Sequence, residues 1–189
     1  MVCLHLPDDT ALHPKLDAWA AVPLSTPAFL SAGDASPPNA HGFIEDRHVV
    51  VLGYGDVVYA RACRALDAWQ MFPAWARVLH DGRTTQQVGQ IVAMIVRILG
   101  LWWINPCRVV TRCDGEASHG FIYGTLPEHA ECGEELFQIQ KHADGHVEYV
   151  IHAFSHPQHP CAWLGFPLAR WWQCRFVRDS QQAMKEVCS

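Results

Sequence analysis

Tyr123, His129 and Glu135 stand in one short stretch, Gly120 to Phe137, that reads as strand, polar connection, strand. All three can hold or relay a proton, so together they could form a general acid/base set. Phe121, Tyr123 and Thr125 alternate along the first arm, and Glu135, Phe137 and Ile139 along the second. Side chains two apart on a strand share a face, which puts Glu135 among apolar residues that belong in a core. A carboxylate there is either paired or shifted in its pKa. Arg108 and the Tyr123 hydroxyl are the candidate partners, Arg108 because its strand is expected to neighbour this hairpin. The same residues also fit a polar network that only fixes the hairpin, with Gly124, Pro127 and Gly133 shaping its tip. Buried polar networks often serve structure alone, and that reading weighs more.

Other clusters offer less. His152, His156, His159 and Cys161 crowd one strand-to-helix junction, and His129 and Cys132 sit at the hairpin tip. No pair among them has zinc-finger spacing, so neither a metal site nor a cofactor is expected. No serine or cysteine has the surroundings of a hydrolase nucleophile. Gly53-Tyr-Gly55 precedes a helix but lacks the longer glycine spacing and the lysine of a phosphate loop. A net charge of −5 argues against a general nucleic-acid surface. The eight cysteines form no C-x-x-C pair and no basic-then-apolar leader is visible, which predicts free thiols in an intracellular, cytoplasmic setting, with organelle association left open. No apolar run reaches the roughly 20 residues of a spanning helix.

These residues need a scaffold, and 189 residues, half of them hydrophobic, suffice for one domain with a sizeable core. Residues 1–40, punctuated by Pro7, Pro14, Pro23, Pro27, Pro37 and Pro38, predict an irregular arm with a short helix near Lys15–Ala21. Residues 41–189 are expected to form the domain. His48–Leu52 predicts a buried strand, and Asp56 an N-cap for an amphipathic helix through Trp69 that Pro73 stops. Gln90–Leu99 is nearly all apolar and rich in β-branched residues, which favours a strand. Leu101–Ile104 extends the sheet to a turn at Asn105-Pro106, and Cys107–Cys113 follows as a further strand. Asp114-Gly115 and Asp144-Gly145 are hairpin turns, so the strands through Phe154 form an antiparallel meander. Cys161–Val187 predicts one long helix, bent or interrupted at Pro167, with an apolar stripe through Leu168, Trp172, Phe176 and Met184 and a basic side of Arg170, Arg175, Arg178 and Lys185.

That order of elements implies an α+β fold in which a curved antiparallel sheet grips a long C-terminal helix. It is the helix-grip arrangement, similar to START and birch-pollen-allergen-like domains. The chain also resembles the uncharacterised domain-of-unknown-function family nineteen-ninety of plants and bacteria. The resemblance rests on Tyr123-Gly-Thr-Leu-Pro-Glu-His129 with Gly133-Glu-Glu-Leu-Phe137, and extends through Asn105-Pro-Cys-Arg-Val-Val110 and Ala153-Phe-Ser-His-Pro157. It covers roughly residues 41–180 and implies the fold, since the family brings no activity with it.

The leading expectation is a cavity between sheet and final helix that binds a small, mostly apolar or amphipathic molecule. Arg108, Phe121, Tyr123, Thr125, His129, Glu135, Phe137 and Trp172 are its expected ligand-binding residues. An enzyme using Tyr123, His129 and Glu135 is the alternative. A third reading makes Trp163, Trp171 and Trp172, beside the helix arginines, a peripheral membrane or protein-interaction face, although tryptophans in a domain this size more often belong to the core.

Overall fold

The computed structural model describes residues 1–26, 30, 42–82, 85–158 and 165–189. In chain order the elements are β1 (Val2–Cys3), α1 (Asp9–Ala20), β2 (Ile44–Tyr54), α2 (Gly55–Asp67), β3 (Arg77–His80), β4 (Ile91–Ile98), β5 (Leu101–Arg112), β6 (Ser118–Thr125), β7 (Glu131–Lys141), β8 (His146–Pro157) and α3 (Phe166–Cys188). The strands form one antiparallel eight-stranded sheet in the order β2-β8-β7-β6-β5-β4-β3, with β1 added to β5. Register shifts at Val51/Gly53 and Val109/Thr111 are bulges, which bend and twist the strands that carry them. The α+β helix-grip architecture expected from the sequence is the one observed.

Burial explains the sequence of β4. Its Val92 packs into the core beneath α2 and α3, while Ile91, Ala93 and Ile95 meet Leu12, Leu16 and Trp19 of α1 on the other face. A strand covered on both sides loses polar alternation and reads as a continuous apolar run. The helix near Lys15–Ala21 is thus longer, Asp9–Ala20, and its Asp8 side chain caps it by accepting from the Ala11 N–H at 2.9 Å.

Several boundaries differ from expectation. Asn105-Pro106 is not a turn: β5 runs straight through it. The Ile104 N–H donates to the Met1 carbonyl and the Pro106 carbonyl accepts from the Leu126 N–H, so both residues point toward the β6 side. There β6 ends opposite Cys107 and β1 begins opposite Trp103, and Pro106 occupies the gap between them, where no ladder donor is needed. Asp56 does not cap α2, which begins at Gly55; its carboxylate pairs with Lys141 instead. Pro167 does not bend the final helix but stands in its first turn, where a missing N–H costs nothing. Residues 161–164, expected to begin that helix, lie outside the described residues.

Gly133 marks a close approach that shapes the site. A Cβ built there would stand 1.9 Å from the Phe154 carbonyl oxygen of β8. Gly133→Ala is therefore expected to lower stability by about 1–3 kcal/mol or more, through overpacking against backbone. Urea unfolding measures this, and an unchanged midpoint would show that β7 and β8 can part at no cost.

Candidate functional site

The hairpin β6–β7 sets Tyr123 directly opposite Glu135. Ala153 follows on β8, and Asp46 on β2, so one row crossing the sheet reads Tyr123, Glu135, Ala153, Asp46. The next row toward α2 reads Phe121, Phe137, Ile151, His48 and is mostly apolar. Phe121 and Phe137 are fully buried there, packed ring to ring at 5.5 Å with Trp69 and Phe72 beyond. The polar row therefore stands on an aromatic floor.

Above it lies a cavity of about 360 Å³, roofed by the N-terminal half of α3. The helix grips the sheet through its later turns, where Phe176, Ser180, Met184 and Cys188 are buried at four-residue spacing. Ser180 is within hydrogen-bond distance, 3.0 Å, of the Tyr149 hydroxyl. The earlier turns stand off and leave the space. Its walls are mainly apolar, including Met94, Val96, Trp103, Leu168 and Trp172. Trp172 is held at the edge by Trp75, 5.4 Å away, and by the Arg175 guanidinium, which lies 4.8 Å from the Trp172 ring and 5.0 Å from that of Trp75.

The polar end is built from four elements. The Tyr123 hydroxyl donates to Glu135 Oε2 at 2.6 Å. Arg170 of α3 grips Asp46 with both terminal nitrogens, one at 2.9 Å from Oδ1, and donates to Gln173 Oε1 at 2.8 Å. The Gln173 amide in turn donates to Glu131. Among the described residues, the carboxylates of Asp46, Glu131 and Glu135 thus share this end with Arg170. Asp46 takes that arginine, whose hydrogen bonds hold its carboxyl below the usual range. Burial raises Glu131. Burial also pushes Glu135 up to about 7, helped by the negative neighbours Glu131 and Asp46 and opposed by the Tyr123 hydrogen bond. Tyr123 is raised well above its ordinary value, by burial first and then by Glu135.

Of the residues singled out from the sequence, Tyr123, Thr125, His129, Glu135 and Trp172 line this cavity. Phe121 and Phe137 lie beneath it. Arg108 is elsewhere: it lies beside Gly124 on the opposite face and donates to the Trp19, Ala20 and Val22 carbonyls at the end of α1. The expected Arg108–Glu135 pair is thus replaced by a helix C-terminus for the arginine and a phenol for the carboxylate. His129 is bonded to neither Tyr123 nor Glu135; its Nδ1 accepts from the Glu131 N–H at 2.9 Å. Burial, and after it the N-terminal amine, lowers its pKa to about 3, so it stays neutral and cannot serve as a cationic acid.

Asp46 carries no local signal in the sequence, and Arg170 reads there only as part of the basic side of the final helix. Arg170, Gln173 and Val177 follow helical spacing toward Phe176, a signal that would have placed them on the sheet-facing side. Of the histidines grouped as metal candidates, His152 pairs with Glu45, and His156 donates from Nδ1 to the Pro157 carbonyl. His159 and Cys161 lie outside the described residues. Trp171, expected in the core, is 55% exposed, and Trp163 lies outside the described residues.

Comparison with known proteins agrees with this architecture. The family model for the domain of unknown function DUF1990 matches residues 27–183. A UPF0548 protein of Dictyostelium discoideum is 32% identical over 165 residues, covering 80% of this chain and 76% of that one. A UPF0548 protein of Arabidopsis thaliana is 33% identical over 150 residues, covering 76% and 72%. Among solved structures, a hypothetical protein of Helicobacter pylori, jhp0584, superposes with a TM-score of 0.55 at 11% identity, covering 81% of this chain and 91% of that one. A norcoclaurine synthase of Thalictrum, solved with a transition-state analogue, superposes with a TM-score of 0.50 at 10% identity, covering 77% and 94%. At such identities the two structures bear on the fold alone.

Proposed function

We propose that this chain, which belongs to the DUF1990 family, binds a small, mostly apolar molecule between its sheet and α3 and recognises one polar group of that molecule at Glu135 and Tyr123. The observation that carries the reading is the cavity itself. Its volume of about 360 Å³ falls in the range of small-molecule sites, and apolar walls with a few convergent polar groups are their usual composition. The described lining residues include more carboxylates than arginines, which suits a ligand group that donates hydrogen bonds. No helix among the described residues is long and apolar enough to cross a membrane. Leu99 and Leu168 are exposed and also line the cavity, which suits the entry of an apolar molecule.

The test is native mass spectrometry of protein purified from its own host, followed by titration of the identified molecule. Glu135→Gln and Tyr123→Phe should each weaken binding by about 10–100-fold, the worth of a hydrogen bond to a charged or buried partner. Folded protein that holds no small molecule and takes up no apolar dye such as anilinonaphthalene sulfonate would sink the proposal.

Catalysis at the same place is a second reading, and one observation favours it: a carboxyl with a pKa near 7 is poised to exchange protons at working pH. The set of three reduces to the Tyr123–Glu135 pair, because His129 is hydrogen-bonded to neither and a pKa of about 3 makes it a weak base. The readings separate on Glu135→Gln: turnover of the identified molecule lost with binding retained would establish the enzyme. That the norcoclaurine synthase was solved with a transition-state analogue is consistent with chemistry on this fold.

A further inference from the structure

At the far end of the β7–β8 hairpin, away from the cavity, three donor groups converge. His146 and Glu148 are two apart on β8, and Val147 and Tyr149 between and beyond them are buried in the core. Both therefore project from the outer face of the sheet. His142 follows β7, and its position is fixed by a closed turn: the His142 N–H donates to the His146 carbonyl, and the Gly145 N–H returns to the His142 carbonyl, each at 2.9 Å. Gly145 takes φ +89, which the turn requires and which an L side chain rarely adopts.

The two imidazoles stack at 3.9 Å and 8° between planes. His142 Nε2 lies 2.9 Å from one oxygen of Glu148, and His146 Nε2 lies 3.3 Å from the other. The donor atoms of the three residues all fall within 4.8 Å of one another. A tetrahedral ion with bonds of about 2.0–2.2 Å holds its ligands roughly 3.3 Å apart, so this spacing suits three corners of such a shell once the exposed His142 ring turns out of the stack to aim its Nε2 at the ion. Asp144 supplies the outer support: its carboxylate meets His146 Nδ1 at 2.5 Å, which fixes the ring and leaves Nε2 as the ligand atom.

We propose that His142, His146 and Glu148 form a site for a divalent transition ion of the zinc type, with Asp144 orienting His146. Two imidazoles and a carboxylate are the donor set that suits zinc and its neighbours rather than calcium or magnesium. The fourth position opens to solvent, with His142 the most exposed of the three at 40% of its side chain. An ion there ties the β7–β8 turn to itself and adds stability whenever it is bound.

The chain has twelve histidines and several free cysteines, so the readout must identify the site. Zinc is titrated into the full-length protein while imidazole nitrogens are followed by long-range 1H–15N NMR. With the first equivalent, the Nε2 signals of His142 and His146 should move together, and calorimetry should show one matching event. His146→Ala should remove that event and leave the His142 signal unmoved. Asp144→Asn keeps every ligand atom and should weaken the affinity by about 10–100-fold. All four residues flank a surface turn, and melting without metal checks that the variants fold. If the first equivalent moves other histidines, or His146→Ala leaves its affinity unchanged, the proposal is overturned.

Discussion

Glu135→Gln should make the protein more stable at pH 8 and leave its stability unchanged near pH 4. The folded structure holds this carboxyl at about 7, well above an ordinary glutamate near 4.5, chiefly because burial disfavours its charge. Below the unfolded value both states are protonated and glutamine mimics the acid closely. As pH rises from about 4.5 to about 7, the unfolded chain releases its proton while the folded one keeps it, so the wild type loses stability over that window. Above the folded value the loss is complete and amounts to about 3 kcal/mol at 1.36 kcal/mol per pH unit. Glutamine escapes it, and its carbonyl can still accept from the Tyr123 hydroxyl, which the native geometry places at 2.6 Å. Thermal melts from pH 4 to 8 should therefore diverge, by roughly 2–4 °C per kcal/mol for a chain of this size. A variant less stable than wild type at pH 8 would mean that an uncounted cation holds the carboxylate.

The sign of that effect separates what the sequence could reveal about the site from what it could not. Strand periodicity alone placed Glu135 on the face of Phe137 and Ile139, and the structure keeps all three on the concave side. The partner was a matter of register and face. Arg108 and Tyr123 lie on strands beside one another, yet Arg108 is opposite Gly124 and Tyr123 opposite Val109, one step apart and so on opposite faces. A bulge between Val109 and Thr111 leaves this parity unreadable from sequence. The Arg170–Asp46 clamp joins residues 124 positions apart, from the final helix to the second strand, a contact that no local pattern encodes. Turn chemistry misled in one place for a similar reason: Pro106 is tolerated in β5 because β6 has ended and β1 has not begun, and the short β1 carries no strand signature of its own.

The clamp has a functional consequence. Arg170 ties the standing-off half of α3 to β2, so the cavity roof is fastened at its polar end as well as through the packed later turns. The carboxylates that could receive a ligand group are thereby fixed by the fold before any ligand arrives, and preorganised groups lose less entropy on binding.

The same division of α3 sets the last expectation, that Phe176→Ala destabilises far more than Trp172→Ala although tryptophan is the larger residue. Phe176 is 8% exposed and packs against Phe72 at 5.5 Å and Trp75 at 6.4 Å, where helix, loop and sheet meet. Its loss leaves a hole in a packed core and should cost about 3–5 kcal/mol. Trp172 is half-buried on the cavity wall, and its close partners, Trp75, Trp171 and Arg175, lie toward the edge of the fold rather than in its packed core. Its stacking with Arg175 and its partial burial together are worth roughly 1–2 kcal/mol. Both side chains touch the cavity, but Trp172→Ala should weaken ligand binding while leaving the helix seated, whereas Phe176→Ala should unseat it. Urea unfolding of both variants, beside dye or ligand titration, makes the comparison. Equal losses of stability would mean that α3 is packed along its whole length, and the space assigned to the ligand would not exist in solution.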